Sequence, residues 1–125
     1  METESRTIKV QLDADPRFAA AVGGVARYMA DAAGMENDAI AQLQAAVVTA
    51  SNDAFKLLTP AHPHLTATIS KLPDRLEVEL SCECDSNAAQ GKESLGGVDK
   101  VQHETKGNIG ITRLTKFINQ GAPSR

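Results

Sequence analysis

Near the start of the chain Ile8, Val10 and Leu12 alternate with Thr7, Lys9 and Gln11, and a period of two predicts a half-buried strand. Asp15-Pro16 then marks a helix start, because the carboxylate accepts from open amide groups while proline sits where no donor is needed. The spacing predicts a helix to about Ala33, with an apolar stripe of Phe18, Val22, Val25 and Met29 and a left-handed stop at Gly34. Asn37 can cap a second helix, in which Ile40, Leu43, Val47, Ala50 and Ala54 recur at steps of three and four until Thr59-Pro60 ends it.

Leu65, Ala67 and Ile69 alternate with Thr66, Thr68 and Ser70, and Leu72-Pro73-Asp74-Arg75 follows as a turn with proline at its second position. The partner strand of this hairpin sets Leu76, Val78, Leu80, Cys82 and Cys84 on one face and Glu77, Glu79, Ser81 and Glu83 on the other. Residues 85–106 are polar, contain Gly91, Gly96 and Gly97 and show no sustained period, which predicts a long mobile loop. A last helix is expected to begin near Gly110, with Ile111, Leu114, Phe117 and Ile118 on its apolar side.

Composition narrows the class. The chain has 125 residues, 42% hydrophobic and 23% charged, which fits a single domain over 1–125 able to bury its own core. The net charge of −3 and the interspersed signs offer no field that attracts a phosphate backbone, so direct nucleic-acid binding is not expected. No apolar stretch is long enough for a membrane span, and Met1-Glu2-Thr3-Glu4-Ser5 lacks the pattern of a signal peptide, so a cytoplasmic location is expected. Two cysteines separated by one residue do not make a disulfide framework, and reduced thiols are expected.

Three short segments carry the candidate chemistry: Thr49-Ala50-Ser51-Asn52-Asp53-Ala54 on the second helix, Cys82-Glu83-Cys84-Asp85 at a strand end, and Gly107-Asn108-Ile109-Gly110-Ile111. In their order and intervals they resemble the nucleotide pocket of the anti-sigma-factor serine kinases, small bacterial members of the GHKL (histidine-kinase-like) ATPase fold. The order strand, helix, helix, hairpin, loop, helix is similar to that family over nearly the whole chain, and Asp74-Arg75-Leu76-Glu77-Val78 looks like its third-strand entry. The resemblance implies an α+β fold, a two-layer α/β sandwich whose mixed sheet is covered by helices on one face, with residues 85–106 standing where the ATP lid lies. The family usually continues into a terminal strand pair after the last helix, and 119–125 shows no alternation, so a C-terminally shortened, three-stranded sheet is expected.

The resemblance also implies how the pocket is altered. The family helix reads Glu-x-x-x-Asn-Ala, where the glutamate is the general base and the asparagine helps to hold magnesium. Aligning Asp53-Ala54 with Asn-Ala puts Thr49 at the base position; a shift of one puts Val48 there and Asn52 at the metal. The first register keeps Val47, Ala50 and Ala54 in the core, and residues at i and i+4 share a face. Asp53 then remains an oxygen ligand for magnesium, but a threonine hydroxyl cannot take a proton at neutral pH. The family strand reads Asp-x-Gly, where the aspartate accepts from the adenine amino group, and here those positions are Cys82 and Cys84. A thiol is a weak acceptor, and losing such a bond costs roughly 1–3 kcal/mol, about one to two decades in affinity. Gly107 and Gly110, with Lys106 nearby, would expose amide groups to a phosphate at a helix start. The implied cofactor state is therefore no nucleotide, or weak Mg-ATP.

By the same resemblance the partners would be a sigma factor or a STAS-domain anti-sigma antagonist, bound in transcription regulation by partner switching. The surface expected for them is the first helix and first strand, at Arg17, Arg27 and Asp31 outside the apolar stripe, with Glu77, Glu79 and Glu83 as second choice. Two alternatives stand beside this reading: a divergent ATP-binding serine/threonine kinase using Asp53, Gly107 and Gly110, and a homodimeric interaction module without regulatory meaning. His62-Pro63-His64 with Cys82 and Cys84 lacks zinc-site spacing, and His103 has no evident catalytic partner, so neither adds a site.

Overall fold

The alternating segment at the start becomes strand β1 (Arg6–Asp13) in a computed structural model that describes residues 6–61, 63–83 and 96–118. Two helices follow, α1 (Pro16–Ala32) and α2 (Asn37–Phe55), then strands β2 (His64–Leu72), β3 (Arg75–Glu83), β4 (Lys100–Lys106) and β5 (Ile109–Phe117). The sheet order is β1-β2-β3-β5-β4, and every neighbouring pair is antiparallel. The fold is thus α+β, with both helices against one side of a five-stranded sheet, as a two-layer sandwich requires.

Helix α1 starts as its sequence dictates. Asp15 accepts from the Arg17 amide, Pro16 takes the first turn, and Gly34 follows the end with φ +83°. Its buried face differs from the expected stripe: Ala19, Val22, Gly23, Ala26, Met29 and Ala30 turn inward, while Phe18 stays 39% exposed. Small residues win this face because the two helices approach closely. A Cβ on Gly23 would come within 2.6 Å of Val48 Cγ2 on α2. On α2 the expected apolar positions are all buried, together with Ala46 and Ser51. Glu36, not Asn37, holds the cap position, and no side-chain bond closes that end.

The hairpin follows its alternation. Leu72 pairs with Arg75 across the two-residue turn Pro73-Asp74, and Leu65, Ala67, Ile69, Leu76, Val78, Leu80 and Cys82 form the sheet's buried side. Cys84 and the first half of the anticipated loop, 85–95, lie outside the described residues.

Four expectations that turn on the last third of the chain are overturned. The sheet is wholly antiparallel rather than mixed, and it has five strands rather than three, because β4 and β5 supply the terminal pair. Residues 100–106, assigned to the loop, form β4, whose inward side is Val101, His103 and Thr105. No helix starts at Gly110: Gly107-Asn108 is a two-residue turn, Lys106 pairs with Ile109, and φ of Gly107 is +61°, as glycine-first hairpin turns require. The steps between Ile111, Leu114 and Phe117 suit a helix, but Ile109, Ile111, Thr112 and Thr115 are β-branched and Gly110 weakens a helix interior.

Candidate functional site

Connectivity decides which residues meet. Helix α1 leaves the sheet at the end where Asp13 pairs with His64, runs back over it, and α2 returns to the end where β2 begins. The same end holds the close of β3 and the start of β5, where Cys82 pairs directly with Gly110. The second half of α2, with Thr49 and Asp53, therefore comes back toward the strand end that carries Cys82.

The candidate positions fall on different flanks of α2. Val48 is packed toward α1 at Gly23, so that flank of α2 is taken up by the helix pair. Thr49 and Asp53 are half-buried on the other flank, one turn apart. Asp53 has Lys56 as an ion-pair partner at 3.6 Å, with the carboxylate 40% exposed, so a cation already competes for its oxygens. Ser51 between them is fully buried, and its hydroxyl is the one buried side-chain polar atom among the described residues without a hydrogen-bond partner.

Cys82 is a buried thiol on the helix-facing side of β3. His64 begins β2 on the opposite side, where Nδ1 lies 2.9 Å from Asp13 Oδ1, so His64 and Cys82 do not converge on one ion. Gly107 and Gly110 are brought to the β3 end, but as a hairpin. A phosphate there would meet strand backbone without the summed amide dipole of a helix start, which removes the physical basis for the phosphate subsite. Cys84, the second strand position, lies outside the described residues.

The helix positions proposed for a partner all reach solvent, with unequal freedom. Arg17 grips the α1 cap: Nε lies 3.2 Å from Asp15 Oδ1 and Nη2 2.7 Å from Oδ2. Those side-chain bonds, with the Arg17 amide, lower the Asp15 carboxyl to about 2. Arg27 donates from Nη1 to Gln44 Oε1 at 3.1 Å and so ties α1 to α2, while Asp31 is exposed.

Of a second surface the sequence reading named only acidic members, Glu77, Glu79 and Glu83, and missed the basic residues beside them. On the side of the sheet away from the helices, Arg75, Glu77, Glu79, Lys100 and Arg113 line a shallow concavity closed at one end by Phe117. Arg113 Nη2 donates to Glu79 Oε1 at 3.1 Å, and Arg75 spans Glu77 at 2.9 Å and Asp74 at 2.7 Å. Glu77 and Glu79 are thus half-buried members of ion pairs rather than a free acidic face. The signal was the alternation of Ile109, Ile111, Arg113 and Thr115, which a helical reading of that segment conceals.

No helix among the described residues is long and apolar enough to cross a membrane. No protein-family model matches the chain, and no curated protein matches it at a significant level.

Proposed function

We propose that the protein is a regulatory binding module that resembles an anti-sigma-factor serine kinase with a decayed ATP site, and that it acts by holding a sigma factor or a STAS-domain antagonist. The observation that carries this reading is the element order β1-α1-α2-β2-β3, with both helices on one face of the sheet. Thr49 and Asp53 share the flank of α2 away from α1, which supports the register in which a threonine stands in place of the base. A neutral hydroxyl there supplies no proton acceptor, and a thiol at Cys82 supplies a poor adenine acceptor.

In this reading Thr49, Asp53 and Cys82 are the vestige of the nucleotide pocket, and Arg17, Arg27 and Asp31 face the partner. Titration with Mg-ATP and Mg-ADP by calorimetry, run beside binding to a candidate sigma factor and a STAS domain, tests it. The expected result is protein binding without nucleotide, and heats for Mg-ATP too weak to fit in the micromolar range. Low-micromolar Mg-ATP binding abolished by Asp53→Ala would instead favour a divergent kinase, for which the half-buried Asp53 carboxylate is the supporting feature. Binding to neither protein class would remove the regulatory reading.

A further inference from the structure

The open face of the sheet has an apolar stripe with charged rims. β5 lies between β3 and β4, and away from the helices it presents Ile109, Ile111, Arg113, Thr115 and Phe117. Ile109 and Ile111 are half-buried and Phe117 is 46% exposed. Such residues on the uncovered side of a strand depart from the apolar-in, polar-out alternation of a sheet with one covered face. The rims beside them differ in charge. Across Thr115, Glu77 of β3 stands opposite Lys100 of β4, and across Ile109, Glu83 stands opposite Lys106. Across Arg113 the residues are Glu79 and Gln102, and only at Ile111, between Ser81 and Glu104, does the acid change sides. Among the described residues neither Lys100 nor Lys106 enters an ion pair. Glu77 and Glu79 each give one carboxylate oxygen to an arginine, which leaves the other to a partner's cation.

We propose that this face holds one amphipathic helix of a partner protein, laid along β5 with its apolar side on Ile109, Ile111 and Phe117. Width selects a helix over a second sheet. The rims on β3 and β4 stand two strand spacings apart, roughly 10 Å, and a helix with its side chains is about 10–12 Å across. From Ile109 to Phe117 the strand runs roughly 26 Å, the length of about 17 helical residues. Thr115, 4% exposed between the longer Arg113 and Phe117, floors the concavity that one large apolar side chain of the helix fills. Charge then states the chemistry of the partner. A helix with basic residues along one flank and acidic residues along the other meets the glutamates of β3 and the lysines of β4 together, in only one of its two directions along β5. The surface lies across the sheet from the helix layer that carries Arg17, Arg27 and Asp31, and the proposal does not depend on the nucleotide or partner-switching reading.

Amide NMR titration of the full chain with two synthetic helical peptides of about 17 residues tests this. Both carry the same leucine stripe; the first has lysines on one flank and glutamates on the other, and the second has glutamates on both. The expected outcome is shifts confined to β3, β4 and β5, with the first peptide bound about tenfold or more tighter than the second. Lys100→Glu with Lys106→Glu, both at exposed positions, is expected to weaken the first peptide about tenfold, and Phe117→Ser to weaken both peptides. If circular dichroism shows Phe117→Ser unfolded, the lysine variant decides alone. No shift on these strands at about 1 mM of the first peptide overturns the proposal, as does equal affinity for the two peptides. The same amides shifting as the protein alone is concentrated would assign the face to a second copy and overturn it too.

Discussion

The two faces of the sheet are made from the same strands and obey different rules. Toward the helices, β2 and β3 present Leu65, Ala67, Ile69, Leu76, Val78, Leu80 and Cys82, all 8% exposed or less. Away from them the alternate residues are Thr66, Thr68, Ser70, Glu77, Glu79 and Ser81, joined by Arg113 from β5. The first face is fixed by burial, since any polar atom placed there loses water without gaining a partner. The second is held mainly by cross-strand pairing, worth roughly 0.2–1 kcal/mol per pair, with Thr115, 4% exposed, as its buried member. Recognition chemistry can therefore vary on the open face without endangering the fold, whereas Cys82 and the α2 flank must serve packing first.

The largest expected effect sets one face against the other within a single strand. Leu80, 2% exposed, touches the core that both helices cover, and Leu80→Ala should cost about 2–5 kcal/mol through lost transfer energy and a residual cavity. Ser81→Ala, one residue on and pointing the other way, should change stability by no more than about 0.5 kcal/mol. Urea denaturation of the two variants measures both. Similar losses at the two sites would mean that the open face is covered by something, and the contrast between faces would fail.

A smaller effect tests whether the open face contributes at all. The Arg113–Glu79 pair has both side chains about one-third exposed, so water screens it and its coupling should be only about 0.2–1 kcal/mol. A double-mutant cycle with Arg113→Ala and Glu79→Ala isolates that coupling, and added salt should shrink it further. Coupling of several kcal/mol would make these residues structural and remove them as a recognition surface.

The helix-facing side was legible because its periods are clean. Alternation in 7–12, 65–70 and 76–82 and the three-four steps from Ile40 to Ala54 each fit one element. The last two strands were not. β4 carries one strongly apolar inward residue, Val101, so as a polar edge strand it has the composition of a loop. In β5, Ile111, Leu114 and Phe117 fall at helical steps although Leu114 alone of the three is buried. The inward face of α1 was misjudged for a related reason: Phe18 is large and apolar, but Gly23, Ala26 and Ala30 let α2 approach. The Thr49–Asp53 flank followed from i,i+4 spacing, whereas the Arg113–Glu79 pair depends on a strand register that no local pattern encodes.

The smallest effect concerns a charge on neither face, at the rim where β1 hands over to α1. Asp15 accepts from the Arg17 side chain and amide, and its carboxyl falls from the ordinary 3.8 to about 2 on folding. A depressed folded value means that the contribution is complete above the unfolded value, near pH 4, and is lost as pH falls through about 2. Asp15→Asn preserves a capping oxygen but removes the charge, so at pH 7 it should melt somewhat below the unaltered protein, and the gap should close as pH falls toward 2. Between pH 4 and 2 the unaltered protein should lose melting temperature more steeply than the variant. Thermal unfolding followed by circular dichroism across that window checks the difference. Both the side-chain and the amide bonds are to Arg17, so Arg17→Ala should flatten the same limb only in part, because the amide donor remains. Equal slopes in all three proteins would show that the Asp15–Arg17 pair does not hold in solution, and Arg17 would then be fully available to a partner.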